Sequence, residues 1–335
     1  MKRTTLLAAA LLVACNGSGD DGDDDTTTPP AWTEAFDAEN DGWLLSVWGL
    51  AANDLWIAGG QPDAGRLLRY DGTAATPADL PAETPLLNWS YGFAADDVFV
   101  VGNEGTILHW DGSAFTVESS STTQNLWGVW GASSDDVWAV GGNGRQEGDL
   151  TLLRRQNGVW SHVALPELER PRVNALFKVW GTSANNVYAV GQRGTVVHFD
   201  GTEWTEELVG TSEDLIALWG TSADRIAIVG GRNNGQIVTW DGSNWNYQSL
   251  APLPGLNGVW MRDPDVIHVV GVSGTLAKVD FASLEYTEDG LSGEARDFHA
   301  VYGHGEGLTT VGGNFLQVQG PYRGIAYERG LAADE

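Results

Sequence analysis

Cysteine occurs once in the 335 residues, at Cys15, and lysine three times, at Lys2, Lys178 and Lys278. One cysteine can form no intrachain disulfide and no cysteine-rich metal knuckle. Basic residues number 18 against 45 acidic ones, for a formal net charge of −27. That balance excludes nucleic acid as a partner, because binding there rests on lysine and arginine neutralising phosphates. It also disfavours docking on an anionic lipid surface. No stretch carries sustained helical periodicity, so an α/β or all-helical fold is not expected. Gly-x-Ser-x-Gly elbows and phosphate-cradling glycine loops are absent. The six histidines show no third ligand at metal spacing. No cofactor and no metal is therefore expected.

What is present is an apolar fraction of 42%, enough for a real core, together with 44 glycines and 16 tryptophans. The chain opens on Met1-Lys2-Arg3, continues with the apolar run Leu6 to Ala14, and reaches Cys15. A charged start, a short apolar stretch and small residues before a cut form a secretory signal, and this run is too short to span a bilayer. Leu12-Val13-Ala14-Cys15 resembles the lipobox of bacterial lipoproteins. The resemblance implies cleavage of residues 1–14 and a diacylglycerol on the Cys15 sulfur. The membrane would then be a partner through that anchor, which places the protein in the bacterial envelope at the outer membrane, periplasmic or surface-exposed. Residues 15–30, rich in Asp, Gly and Thr, read as an acidic, disordered tether. Asp37 to Gly42 has the opening of a calcium loop, but Trp48 stands where the last acidic ligand belongs.

From residue 44 the sequence repeats. A first-strand aromatic falls at Trp48, Tyr91, Trp130, Trp180, Trp219, Trp260 and Tyr302, at gaps of 39 to 50 residues. A glycine closing the next segment recurs at Gly59, Gly102, Gly141, Gly191, Gly230, Gly271 and Gly312. An apolar run ending in Asp-Gly occurs at Asp71, Asp111, Asp200 and Asp241, softened at Asn157-Gly158 and degenerate at Asp280-Phe281 and Gln319-Gly320. Each copy holds four short runs rich in Val, Ile, Thr and aromatics, separated by turn residues. Seven units of about 40 residues with four strands apiece predict an all-β, seven-bladed β-propeller over 31–330. Ala31-Trp32-Thr33-Glu34 matches a fourth run yet precedes the first copy, so it is expected to complete the last blade. Gly324 to Glu328 competes for the same place. A monomer is expected.

Val-Trp-Gly followed by Asp-Val-Trp-Ala-Val-Gly and His-Trp-Asp-Gly, over residues 44–320, resembles the repeats of secreted myxobacterial-type lipoprotein propellers. It is more distantly similar to sialidase-like repeat propellers and to tectonin-type lectins, although the sialidase pattern Ser-x-Asp-x-Gly-x-Thr-Trp does not occur in that form.

In a four-stranded blade the second-to-third and fourth-to-first connections share one side, and these are the links that vary in length here. Binding residues tend to sit on variable loops held by a rigid scaffold. The candidate site is therefore this loop face, with Asp63, Arg66, Glu104, Arg145, Glu147, Arg193, Arg232 and Asn233. His109 and His198 share a repeat position with Arg69, Arg155, Thr239 and Lys278, a polar column expected to pair blades together. The function expected is a non-catalytic binding or scaffold module for glycan or protein. The alternative is a carbohydrate-active enzyme, a sialidase-like hydrolase or lyase, using acidic and arginine residues of the loop face; no catalytic residue can be named.

Overall fold

The computed structural model describes residues 31–144, 148–305, 307–317 and 319–331. The leader, Cys15 and the tether lie outside the described residues, as do Arg145 and Glu147. Among the described residues, 28 strands form seven four-stranded antiparallel sheets, six of them running in sequence order from the inner to the outer strand. Blade 1 is Trp43–Ala51, Asp54–Gln61, Ala64–Tyr70 and Ala75–Pro77. Blade 7 breaks the order. Its inner strands are Asp297–His304, Gly307–Gly313 and Gly324–Gly330, and its outer strand is Thr33–Glu34 from the other end of the chain. The seam pairs Thr33 with Glu328 and Glu34 with Tyr327. The two segments expected to compete are therefore neighbours in one sheet. Gln319-Gly320 does not end a third strand; that strand lies further on. Asp280, by contrast, turns its hairpin as the other aspartates do: its Oδ1 accepts the N–H groups of Ala282 and Ser283 despite the missing glycine.

The tryptophans fill the wedges between blades, and the Trp-Gly pair explains how. A Cβ on Gly92 would lie 2.5 Å from Cη2 of Trp48 in the preceding blade, and one on Gly220 2.7 Å from Cη2 of Trp180. The indole of one blade occupies the space where the next blade has no side chain. At the inner edge these aromatics also meet across blades. The rings of Trp219 and Tyr302, from blades 5 and 7, are 5.9 Å apart and nearly perpendicular. Tyr302 packs in turn against the cluster holding Trp48 and Tyr91.

The polar column pairs within blades rather than between them. In blades 1 to 4 a residue of the third strand reaches the Asp or Asn that starts the second strand and lies over that strand's aromatic. Arg69 donates to Asp54 (2.9 Å) over Trp56, and Arg154 to Asp136 (2.7 Å) over Trp138. His109 and His198 do the same with Asp97 and Asn186 while stacked on Phe99 and Tyr188. The blade 3 member is Arg154, opposite Trp138, not Arg155, because Asn157-Gly158 sits one residue later in its hairpin than Asp-Gly does in the others. Arg155 instead reaches back to blade 2. It donates through Nε and Nη2 to both Glu118 oxygens at 2.9 Å, beside Trp160 Nε1 at 2.6 Å. This cluster does pin two blades.

Candidate functional site

Every inner strand begins with the same irregularity. The register to the second strand slips by one between Leu44 and Ser46, Leu87 and Trp89, Leu126 and Gly128, Leu176 and Lys178, Leu215 and Ala217, Leu256 and Gly258, and Phe298 and Ala300. An extra residue in one strand of an antiparallel pair is a β-bulge, which re-aims a side chain. The residue before each slip is apolar and buried, and is leucine in six blades. The extra residues are Leu45, Asn88, Trp127, Phe177, Ile216, Asn257 and His299. All seven line one cavity of about 600 Å³ on the face of the second-to-third and fourth-to-first links. That volume lies in the range of ligand sites. The repeats supply their own comparison. Leucine, valine, Trp and Gly recur around this position from blade to blade, while the position itself takes six residue types in seven copies.

The cavity wall is mostly apolar and aromatic. Trp43, Leu86 and Phe315 join Leu45, Trp127, Phe177 and Ile216. Its polar groups are partly committed to inner-strand carbonyls. Asn88 Nδ2 donates to Leu126 O at 2.9 Å and Asn257 Nδ2 to Phe298 O at 2.9 Å. His299 Nδ1 lies 2.6 Å from Leu45 O. A carbonyl accepts only, so Nδ1 carries the proton and Nε2 is left as an acceptor. Burial, reinforced by the charge of Lys178, pushes His299 down to about 3, so the ring is neutral. Asp297, buried, accepts the N–H of Ser273 and so clasps the blade 6 loop to blade 7. Asp214 and Asn125 clasp Arg193 and Glu104 in the same manner.

Lys178 follows the bulge in blade 4, at a position that is Ser, Ala or Gly in five of the other blades and Trp89 in blade 2. Its side chain is buried, with Nζ 3.1 Å from Trp127 O and 3.7 Å from the centre of the Trp89 ring. Among the described residues no carboxylate pairs with it. Burial alone pushes its ammonium down to about 7.

Of the residues expected at the site, Arg232 lines the cavity, at its rim, where it pairs with Asp214 at 2.8 Å. Arg66 is held by Asp41 at 2.8 Å. Asp63 and Asn233 stand exposed at loop tips. Glu104 and Arg193 occupy left-handed turn positions, with φ of 57° and 59°, and are exposed. The loop-face residues thus stand on the same side of the ring as this cavity, with Arg232 at its rim and the other described ones outside its lining. Lys178, His299 and the other bulge residues are not among the residues expected there. The signal that would have found them is the one column of the repeat that refuses to repeat.

No known protein family and no curated protein matches the sequence. Solved structures do match in shape. Virginiamycin B lyase from Staphylococcus aureus, a catalytically inactive form with quinupristin, superposes with a TM-score of 0.72 at 12% identity, over 90% of this chain and 99% of that one. YCF48 bound to D1 peptide gives 0.66 at 14% identity, over 91% and 100%. The β-propeller domain of Cps50 (Swd1) from Myceliophthora thermophila gives 0.63 at 13%, over 90% and 99%. The chain is a seven-bladed β-propeller. At such identities the likeness shows the fold alone, and function must be argued from the site.

Proposed function

We propose that this propeller is a non-catalytic binding module, held at the bacterial envelope by a lipid on Cys15, whose ligand enters the central funnel. The carrying observation is the ring of seven bulge residues, varied where the rest of the blade is repeated and all directed into one apolar hollow. Of glycan and protein, the wall favours a protein segment. Sugars ask for many free hydrogen-bonding groups, whereas Asn88 and Asn257 spend their amide protons on strand carbonyls and most of the remaining lining is hydrocarbon. Two of the matching structures are described with a peptide or with quinupristin bound, which accords with ligand binding as a use of this fold. The alternative of a glycosidase needs two convergent carboxylates. Among the described residues Asp297 is the one carboxylate lining the funnel, and it holds a loop.

The test uses the full chain as Cys15→Ser, screened in parallel on peptide and glycan arrays. Binding to peptides that is lost in Trp127→Ala/Phe177→Ala supports the reading; glycan binding indifferent to that pair would refute it. The anchor is tested separately. Partition of the native chain, but not of Cys15→Ser, into the detergent phase of Triton X-114, with the corresponding acyl mass on the N-terminal peptide, is the expected outcome.

A further inference from the structure

A lysine buried without a carboxylate is an expensive residue for a blade to keep, because an ion out of water is strongly penalised unless it is paired. Capping a strand carbonyl does not require it. Asn88 and Asn257 serve Leu126 O and Phe298 O with a neutral amide. Lys178 spends one N–H on Trp127 O and lays its charge against the Trp89 face. An ammonium has three protons to donate. Among the described residues at least one is thus left without an acceptor, on a group that lines the hollow. The rim adds a second cation, Arg232, whose guanidinium lies 5.7 Å from the centre of the Phe177 ring. The surrounding surface belongs to a chain of net charge −27, so a cation here is a local exception. We propose that the group inserted into the funnel is an organic anion, a carboxylate carried on an apolar stem, with its charge on Lys178 and its stem against Trp127, Phe177 and Ile216. This rests on the funnel being the ligand site and adds the chemistry of what fills it.

His299, facing the same hollow, is neutral and offers an acceptor at Nε2, so it accommodates the protonated edge of such a ligand or a bridging water without opposing the anion. The other charged groups lining the cavity, Asp297 and Arg232, are committed to Ser273 N–H and to Asp214. Lys178 is then the group whose protonation the ligand feels. Affinity for an anion is expected to fall as the pH rises from 6 to 9, while affinity for a neutral molecule of the same shape stays level.

The experiment compares two dyes of nearly the same body, 8-anilinonaphthalene-1-sulfonate and the neutral N-phenyl-1-naphthylamine, by fluorescence titration of the Cys15→Ser chain. Lys178→Met keeps an unbranched apolar stem one atom shorter than lysine and removes the charge, a change that well-packed interiors tolerate. The expected result is a tenfold or larger loss of sulfonate affinity in Lys178→Met with the neutral dye within twofold of its original value. N-Acetylphenylalanine, but not its amide, is expected to displace the sulfonate dye from the unaltered residue. If Lys178→Met weakens both dyes alike or neither, or if acid and amide compete equally, the anion proposal is overturned while the funnel reading stands. If Trp127→Ala/Phe177→Ala leaves both dyes bound as before, the funnel reading falls and the proposal with it.

Discussion

His109 Nε2 sits 2.8 Å from Asp97 Oδ1, and in the corresponding place two blades on His198 Nε2 sits 2.7 Å from Asn186 Oδ1. Both imidazoles lie flat on an aromatic ring, at 4.1 and 4.2 Å. The two sites differ in their acids. Hydrogen bonding to Glu118, opposed by burial and aided by Asp97, raises His109, whereas burial lowers His198. Folding therefore gains from His109 below its unfolded pKa of about 6.5 and loses that gain as pH rises through the folded value. His198 contributes nothing above that range and costs increasingly as pH falls below it. Imidazole titration by NMR is expected to place His109 above and His198 below the ordinary range. Asp97→Asn should lower the former, and Asn186→Asp raise the latter.

Glu118 is the pin between blades 2 and 3. Burial pushes its carboxyl upward, but hydrogen bonds from His109, Arg155 and Trp160 outweigh this and hold it at about 2. Its stabilisation is thus full above the unfolded value of about 4.3 and drains away as pH falls toward 2. Glu118→Gln removes the charge from the guanidinium of Arg155 and is expected to cost about 2–3 kcal/mol at pH 7 in urea unfolding. The deficit should shrink under acid conditions.

Gly92→Ala sets a methyl group against Trp48, with no free volume to receive it. Overpacking of this kind costs about 1–3 kcal/mol. Gly290→Ala, which meets nothing within 4 Å, is the control and is expected to change the urea midpoint little.

Blade 7 depends on a strand of two residues, assisted by Trp32, whose ring receives the Arg329 guanidinium at 5.3 Å. Thr33→Pro deletes a backbone donor at the seam. Hydrogen exchange is expected to speed up at Gly324–Gly330 and to remain unchanged in blades 3 and 4. Equal acceleration throughout the ring would show that the seam governs the whole fold rather than one blade.

Much of this architecture was legible because steric necessity writes it into the repeat. A wedge filled by a ring over a bare Cα requires an aromatic followed by Gly, as in six of the seven copies, and an Arg or His laid over a second-strand aromatic goes with an Asp or Asn two residues before that aromatic. Where strand and turn lengths drift, alignment by motif misleads. The blade 3 turn dipeptide, Asn157-Gly158, sits one residue later than Asp-Gly in its neighbours, which puts Arg155 in the place of Arg154, and Gln319-Gly320 precedes the third strand of blade 7, which begins at Gly324, rather than ending it. The funnel was hidden for a related reason. A bulge interrupts the two-residue alternation of a strand, so the side chain it turns inward carries no periodic mark. Loop tips such as Asp63 and Glu104 are conspicuous by composition, yet their place is at the surface.

The seam joins residue 33 to residue 328, so Thr33–Glu34 has no partner in its sheet until Gly324–Gly330 has been made. Six blades can assemble from local hairpins as they are synthesised, but the seventh is a meeting of the two extremes. A product that stops before Gly324 lacks the strand on which Thr33–Glu34 pairs and cannot close the native circle.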